Sequence, residues 1–224
     1  ASFMQAVLVG LMNVAFTVVA ILYIDRLGRR RLLGVGITGI AACMFLLSYG
    51  FGSATYSLDR EAIGALPAEI SRTELEPLRD VVFDSDVEFR AAAYAAIGEA
   101  TYKRHESAIV AEAIDMNPTL ILLAILGFVA SFAMSLGPIM WVLFSELFPN
   151  RVRGVAISFV GFINSAVAFL VTFIFPWELA TIGNSATFLI YGLFAVLGLV
   201  VIMRILPETK GRSLEELEKM LVTH

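Results

Sequence analysis

The 224 residues are 58% hydrophobic, with a mean hydropathy of +0.83, a composition outside the range of soluble globular chains. The net charge of −4 includes no basic stripe, which argues against a nucleic-acid partner, and the single cysteine excludes an internal disulfide. What remains is an all-α integral membrane protein in which charge marks the ends of apolar runs.

A first apolar run extends from Phe3 to Ile24 without a charge and meets the strongly basic turn Asp25-Arg26-Leu27-Gly28-Arg29-Arg30-Arg31. It is too long for a signal-peptide core and lacks a basic start, and the chain opens on Ala1 rather than methionine. We read it as a membrane span within a segment of a longer protein. The second span, Leu32 to about Gly52, carries Gly34, Gly36 and Gly39, which suits close helix–helix approach in lipid. Cys43 within it reads as packing filler.

Residues 53–117 hold 13 of the 20 acidic side chains and only six of the 16 basic ones. Pro67 and Pro77 break the stretch 56–82, whereas the alanine-rich, proline-free stretch from Val87 to Ile114 predicts one helix. His105, among Lys103, Arg104 and Glu106, reads as a solvated histidine rather than a metal ligand.

A third apolar run extends from Asn117 to Ser145, more than the ~20 residues a span needs. Gly137 and Pro138 lie inside it, and a proline there removes a donor and clashes with the carbonyl four residues back. Such a break survives in lipid only where protein or a water-filled cavity satisfies the freed carbonyl. Trp141 follows one turn later, read as mid-depth, and the run ends in Glu146-Leu147-Phe148-Pro149-Asn150-Arg151-Val152-Arg153-Gly154. A fourth span covers Val155 to about Trp177 and a fifth about Ser185 to Met203. In the tail, Ser213 and Glu216 form a capping box ahead of Leu214, Leu217 and Leu221, which predicts a short helix. The resulting division is 1–53, 54–117, 118–206 and 207–224.

Arginines and lysines in short connections mark the cytoplasmic side. By that rule the turns at 25–31 and 150–153 and the C-terminus face the cytoplasm, and the acidic segment lies outside. The expected location is a cell membrane crossed several times.

No ionisable side chain falls mid-span, so these helices cannot by themselves carry a proton relay. The polar inventory at depth is Asn13, Thr17, Phe132, Trp141, Ser158 and Asn164. Amides that donate and accept, beside an aromatic face, suit a neutral, hydroxyl-rich solute. Each asparagine could instead make an interhelical hydrogen bond, worth about 0.6 kcal/mol in membranes. Asp25, Arg29, Glu146 and Arg153 are opposite charges at neighbouring span ends, where a network can bias a two-state protein.

Four segments in order, Asp25-Arg26-Leu27-Gly28-Arg29-Arg30, Gly137-Pro138-Ile139-Met140-Trp141, Ser145-Glu146-Leu147-Phe148-Pro149 with Arg153-Gly154, and Pro207-Glu208-Thr209-Lys210-Gly211, carry a family likeness. The sequence resembles the C-terminal half of sugar porters in the major facilitator superfamily, most nearly the bacterial xylose–proton symporters. The likeness covers all but about 55–116, where that family usually has a short loop. It implies helices 8 to 12 of a twelve-helix fold, a monosaccharide as substrate, and the N-terminal half of the same transporter as partner. It implies no enzyme activity, cofactor or metal. By it Trp141 is the sugar-stacking tryptophan, Asn164 reaches toward the sugar, and Asn13 and Phe132 border the cavity. Asp25, Arg29, Glu146 and Arg153 become the network that closes the inner gate. Ser165, where many members carry tryptophan, departs from the pattern. Ala133, where animal facilitative carriers have glutamate, favours the bacterial branch. A carrier of polyols and a transporter-like sugar sensor are the alternatives.

Overall fold

The computed structural model describes residues 2–210, apart from the side chains of Ser2, Phe3, Gln5 and Asp25. The predicted tail helix lies outside the described residues. Within them the order is α1 (Ser2–Leu27), α2 (Arg29–Gly52), β1 (Thr55–Tyr56), α3 (Arg60–Ala65), α4 (Arg72–Leu75), a 3-10 turn, α5 (Asp86–Ile97), α6 (Glu99–Ala113), β2 (Ile114–Asp115), α7 (Pro118–Met134), α8 (Leu136–Leu147), α9 (Arg153–Thr181) and α10 (Asn184–Ile205). Five stretches are long and apolar enough to cross a bilayer: Ala6–Ile24, Arg29–Gly52, Pro118–Leu147, Arg153–Thr181 and Asn184–Ile205.

The basic turn predicted at 25–31 is mostly helix, and its arginines are good helix formers. Only Gly28 lies outside helix, at φ +90°, a left-handed conformation that stops α1 and lets α2 start one residue later. The third apolar run is two helices. The interruption falls at Ser135 (φ −128°, ψ −88°) rather than at Gly137-Pro138. Pro138 sits in the first turn of α8, where its missing N–H is harmless, and the turn it cannot follow is the last of α7. Ser135 is fully buried, and its Oγ donates to the Ser131 carbonyl at 2.6 Å.

The chain divides into two compact units. The first comprises residues 1–45, 122–175 and 190–224. Its core joins Leu32, Leu33 and Ile37 of α2 to Ile139 and Leu143 of α8. Side chains at Gly36 and Gly39 would collide with Ser135 and Ser131, so the bare backbone of α2 permits the approach of α7. The exposed positions of α1 and α9 are largely apolar: Leu11, Val14, Ile21, Phe159, Phe162 and Phe173 are all more than half exposed. Lipid or further protein is the environment such faces require.

The second unit comprises residues 46–121 and 176–189. Antiparallel β1 and β2, with Thr55 opposite Asp115, bring the two ends of the acidic segment together. Between them lies a core of Tyr56, Leu58, Ile70, Leu75, Phe89, Tyr102 and Ile109, each 2% exposed or less. The helix predicted over 87–114 is divided at Gly98 (φ +77°), so that α5 and α6 fold back on one another. His105 is not a solvated histidine: its side chain is 14% exposed, and Nε2 lies 3.1 Å from Glu69 Oε2. Among the described residues, no group of three or more His, Cys, Asp or Glu could hold a metal ion.

Candidate functional site

Trp141 projects from α8 and is 49% exposed. It stands six residues before the end of that helix, about 9 Å by helical rise, nearer the basic end than the mid-depth read from the sequence. Its ring lies edge-on to Phe144, with centroids 5.9 Å apart, and its Cη2 faces Gly161 of α9. Asn164, three residues after Gly161, falls on the same helical face. Trp141 and Gly161 are thus brought together, and Asn164 follows one turn along α9.

Phe132 sits at the end of α7, 42% exposed, with its ring 3.6 Å from the position a side chain at Gly137 would occupy. Gly137 and Trp141 are four residues apart on α8, so Phe132 and Trp141 mark one stripe across the break. Asn13 is exposed on α1, which packs on α8. Neither the Asn13 nor the Asn164 amide has a hydrogen-bond partner among the described residues. Both residues are exposed.

At the basic end, Glu146 is the hub. Its Oε1 accepts from Arg29 Nη2 at 2.8 Å and Nε at 3.2 Å, and its Oε2 accepts from the Thr209 hydroxyl at 2.8 Å. The pair is partly buried, 14% and 21% exposed, so it is screened less than a surface pair. Glu208 Oε1 accepts from the Arg29 backbone N–H at 3.1 Å, placing a carboxylate on the N-terminus of α2. Lys210 Nζ donates to the Arg26 carbonyl at 2.6 Å, and Arg30 Nη2 donates to the Met203 carbonyl. Arg153 Nε donates to the Phe148 carbonyl at 3.1 Å, so this contact closes its own turn rather than joining the hub. Asp25 lies on α1, and its side chain falls outside the described residues.

Sequence reasoning paired charges by proximity to span ends and missed Glu208 and Thr209 as partners. The signal was present: a carboxylate and a hydroxyl one residue apart, just after a span, opposite a helix that starts in arginines.

The family model for sugar and other transporters matches residues 1–66 and 91–221. The facilitated glucose transporter member 10 of Xenopus tropicalis, from solute carrier family 2, is 32% identical over 96% of this chain and 43% of its own length. The D-xylose-proton symporter of Escherichia coli K12 is 31% identical over 97% of this chain and 33% of its own length. Among solved structures, a major facilitator superfamily proton:xylose symporter bound to 6-bromo-6-deoxy-D-glucose superposes with a TM-score of 0.65. It is 28% identical, over 97% of this chain and 34% of that one. The chain therefore spans about a third to two fifths of the length of these relatives, and these relatives are transporters, not enzymes. The fold, the five apolar spans and the family match agree: this chain belongs to the sugar transporter family of the major facilitator superfamily.

Proposed function

We propose that these five spans are helices 8 to 12 of a twelve-helix carrier that moves a monosaccharide by alternating access. The observation that carries this reading is the half-exposed Trp141 ring beside α9, with the unpartnered Asn164 amide on the same face. An aromatic face buries the C–H side of a sugar ring, and the amide answers a hydroxyl. Asn13 and Phe132 border the same space. Xylose, arabinose and glucose are named for relatives of this chain, which supports a pentose or hexose as the solute.

Coupling to protons belongs to the N-terminal half, because the spans here carry no ionisable group at depth. The basic end faces the cytoplasm and the acidic unit lies outside. Arg29, Glu146, Glu208 and Thr209 act as the inner gate, joined by Asp25 and Arg153 through the helices that carry them. Inverted repeats of this superfamily rock about a central site, and contacts across one end favour the state in which that end is closed.

Trp141→Ala in the full-length protein tests the reading. Affinity for D-xylose or D-glucose should fall by about 1–3 kcal/mol as the aromatic surface is lost. Unchanged affinity for every transported sugar removes Trp141 from the site. Uptake into proteoliposomes with and without an imposed pH gradient separates symport from facilitated passage.

A further inference from the structure

We propose that Gly161 sets the width of the sugar slot and so the size of sugar admitted, an inference that rests on Trp141 being the stacking residue. A Cβ built at Gly161 meets one neighbour within 4 Å, the Trp141 Cη2 at 3.9 Å. That is ordinary van der Waals contact, so a single methyl fits without moving the ring. Anything longer must displace the indole or project into the space beside it.

The indole, 49% exposed, has a neighbour on one side. Phe144 packs edge-on against it, and the helix that carries it is fixed from behind by Ile139 and Leu143, which are 0% and 5% exposed. Added bulk at 161 is therefore directed into the slot, one turn before Asn164, where it competes with the sugar for both the ring and the amide. A hexose, with one more carbon than a pentose, should lose more than the pentose does.

The test uses the full-length transporter, with D-xylose and D-glucose binding measured alongside monodispersity and thermal unfolding. Trp141→Ala comes first, because no loss there overturns the stacking reading itself. Given that loss, Gly161→Leu should weaken binding roughly tenfold in the parent, the size expected of overpacking. In the Trp141→Ala background the same change should cost less than about twofold, because the leucine takes the vacated space and contacting residues do not add. An equal loss in both backgrounds overturns the role of Gly161 and leaves Trp141 standing. If Gly161→Leu does not fold, Gly161→Ala and Gly161→Val decide. Alanine should keep near-parental affinity and valine should lose it, more for glucose than for xylose. Equal affinities for the two variants overturn the proposal.

Discussion

Two helix-to-helix junctions in this chain are built on the same local plan and secured in opposite ways. Between α1 and α2 stands Gly28 at φ +90°; between α9 and α10 stands Gly183 at φ +85°. In each, a carboxylate from a distant segment accepts from the first backbone N–H of the second helix: Glu208 from Arg29 at 3.1 Å, and Asp86 from Asn184 at 3.0 Å. A side chain at Gly28 would come within 2.7 Å of the Glu208 carboxylate, and one at Gly183 within 2.6 Å of Asp86 Oδ1. Glycine thus serves twice at each junction, for the backbone turn and for the approach of the acid. The exchange is reciprocal: the acid after α10 caps α2, and the acid after α2 caps α10. That is the pairing expected if the two halves of this stretch follow inverted repeats.

The surroundings differ. Glu208 accepts from the Arg29 and Lys210 backbone N–H groups, beside the partly buried cluster of Arg29, Glu146 and Thr209. Asp86 opens α5, whose Phe89 and Ala93 are buried in the acidic unit. Arg90 on the same helix donates to the Leu179 carbonyl at 3.3 Å, completing the contact from the C-terminal side of α9. One junction rests on charge and the other on a core. Under the proposed gating this is what alternation requires of the inner end, where contacts must break in every cycle.

The largest effect should come from the core. Phe89, 1% exposed, stacks on Tyr56 with centroids 5.6 Å apart, so Phe89→Ala should cost about 3–5 kcal/mol of the acidic unit's stability. Hydrogen exchange should then rise at 183–187 and stay unchanged at 29–33. A rise at both would mean the two junctions do not stand apart.

Alkaline titration probes the same core. Burial first, and then the Asp86 charge, pushes the Tyr56 phenol from 10.0 to about 12; burial and Glu106 do the same for Tyr102. The unfolded chain releases these protons near pH 10, so the contribution is whole below that and falls as pH rises toward 12, by at most about 3 kcal/mol per tyrosine. Tyrosinate absorbance should show two phenols ionising late. Their ionisation together with exposed tyrosines, at the ordinary pH, would deny the core its dryness.

At the charged junction, Glu146→Gln keeps the shape and removes the charge that Arg29 needs, a loss of about 1.5–3 kcal/mol for a charge-assisted contact. Transport should fall while sugar binding stays measurable, and labelling of a cysteine placed at the basic ends should rise. Arg153→Ala should do less, because its contact is to the Phe148 carbonyl of its own turn. Lost transport with unaltered accessibility would turn these charges into folding elements and end the gate assignment.

The spans were legible because lipid imposes a simple rule: ~20 apolar residues between charges. That the third run is interrupted was legible from Pro138, but the place of the interruption, Ser135, was not. The acidic unit was not. Its core residues, Tyr56, Leu58, Ile70 and Leu75, come from a two-residue strand, a bridge, a turn and a short helix, where no period of 3.6 or 2 repeats long enough to read. The added partners of Glu146 and Arg29, Thr209 and Glu208 respectively, escaped for a related reason. Thr209 lies 63 residues from Glu146 and Glu208 lies 179 from Arg29 along the chain, and only packing brings them together.

The smallest effect separates the two junctions most cleanly. Asp86→Asn and Glu208→Gln each remove a carboxylate from a helix N-terminus, a change worth about 1 kcal/mol or less. Asparagine still accepts through its side-chain oxygen, and α5 remains anchored by Phe89, so Asp86→Asn should leave transport near parental. Glutamine at 208 keeps an acceptor as well, but it leaves Lys210 and the arginines at the start of α2 with one less negative neighbour. Like-signed groups then crowd the end that must close. Glu208→Gln should therefore slow transport more than Asp86→Asn does, and the gap should shrink as salt is raised from 0.1 M toward 1 M, where the screening length falls from ~10 Å to ~3 Å. Equal effects of the two substitutions at every salt concentration would show that both acids act only as caps, and that the difference in their surroundings carries no consequence for transport.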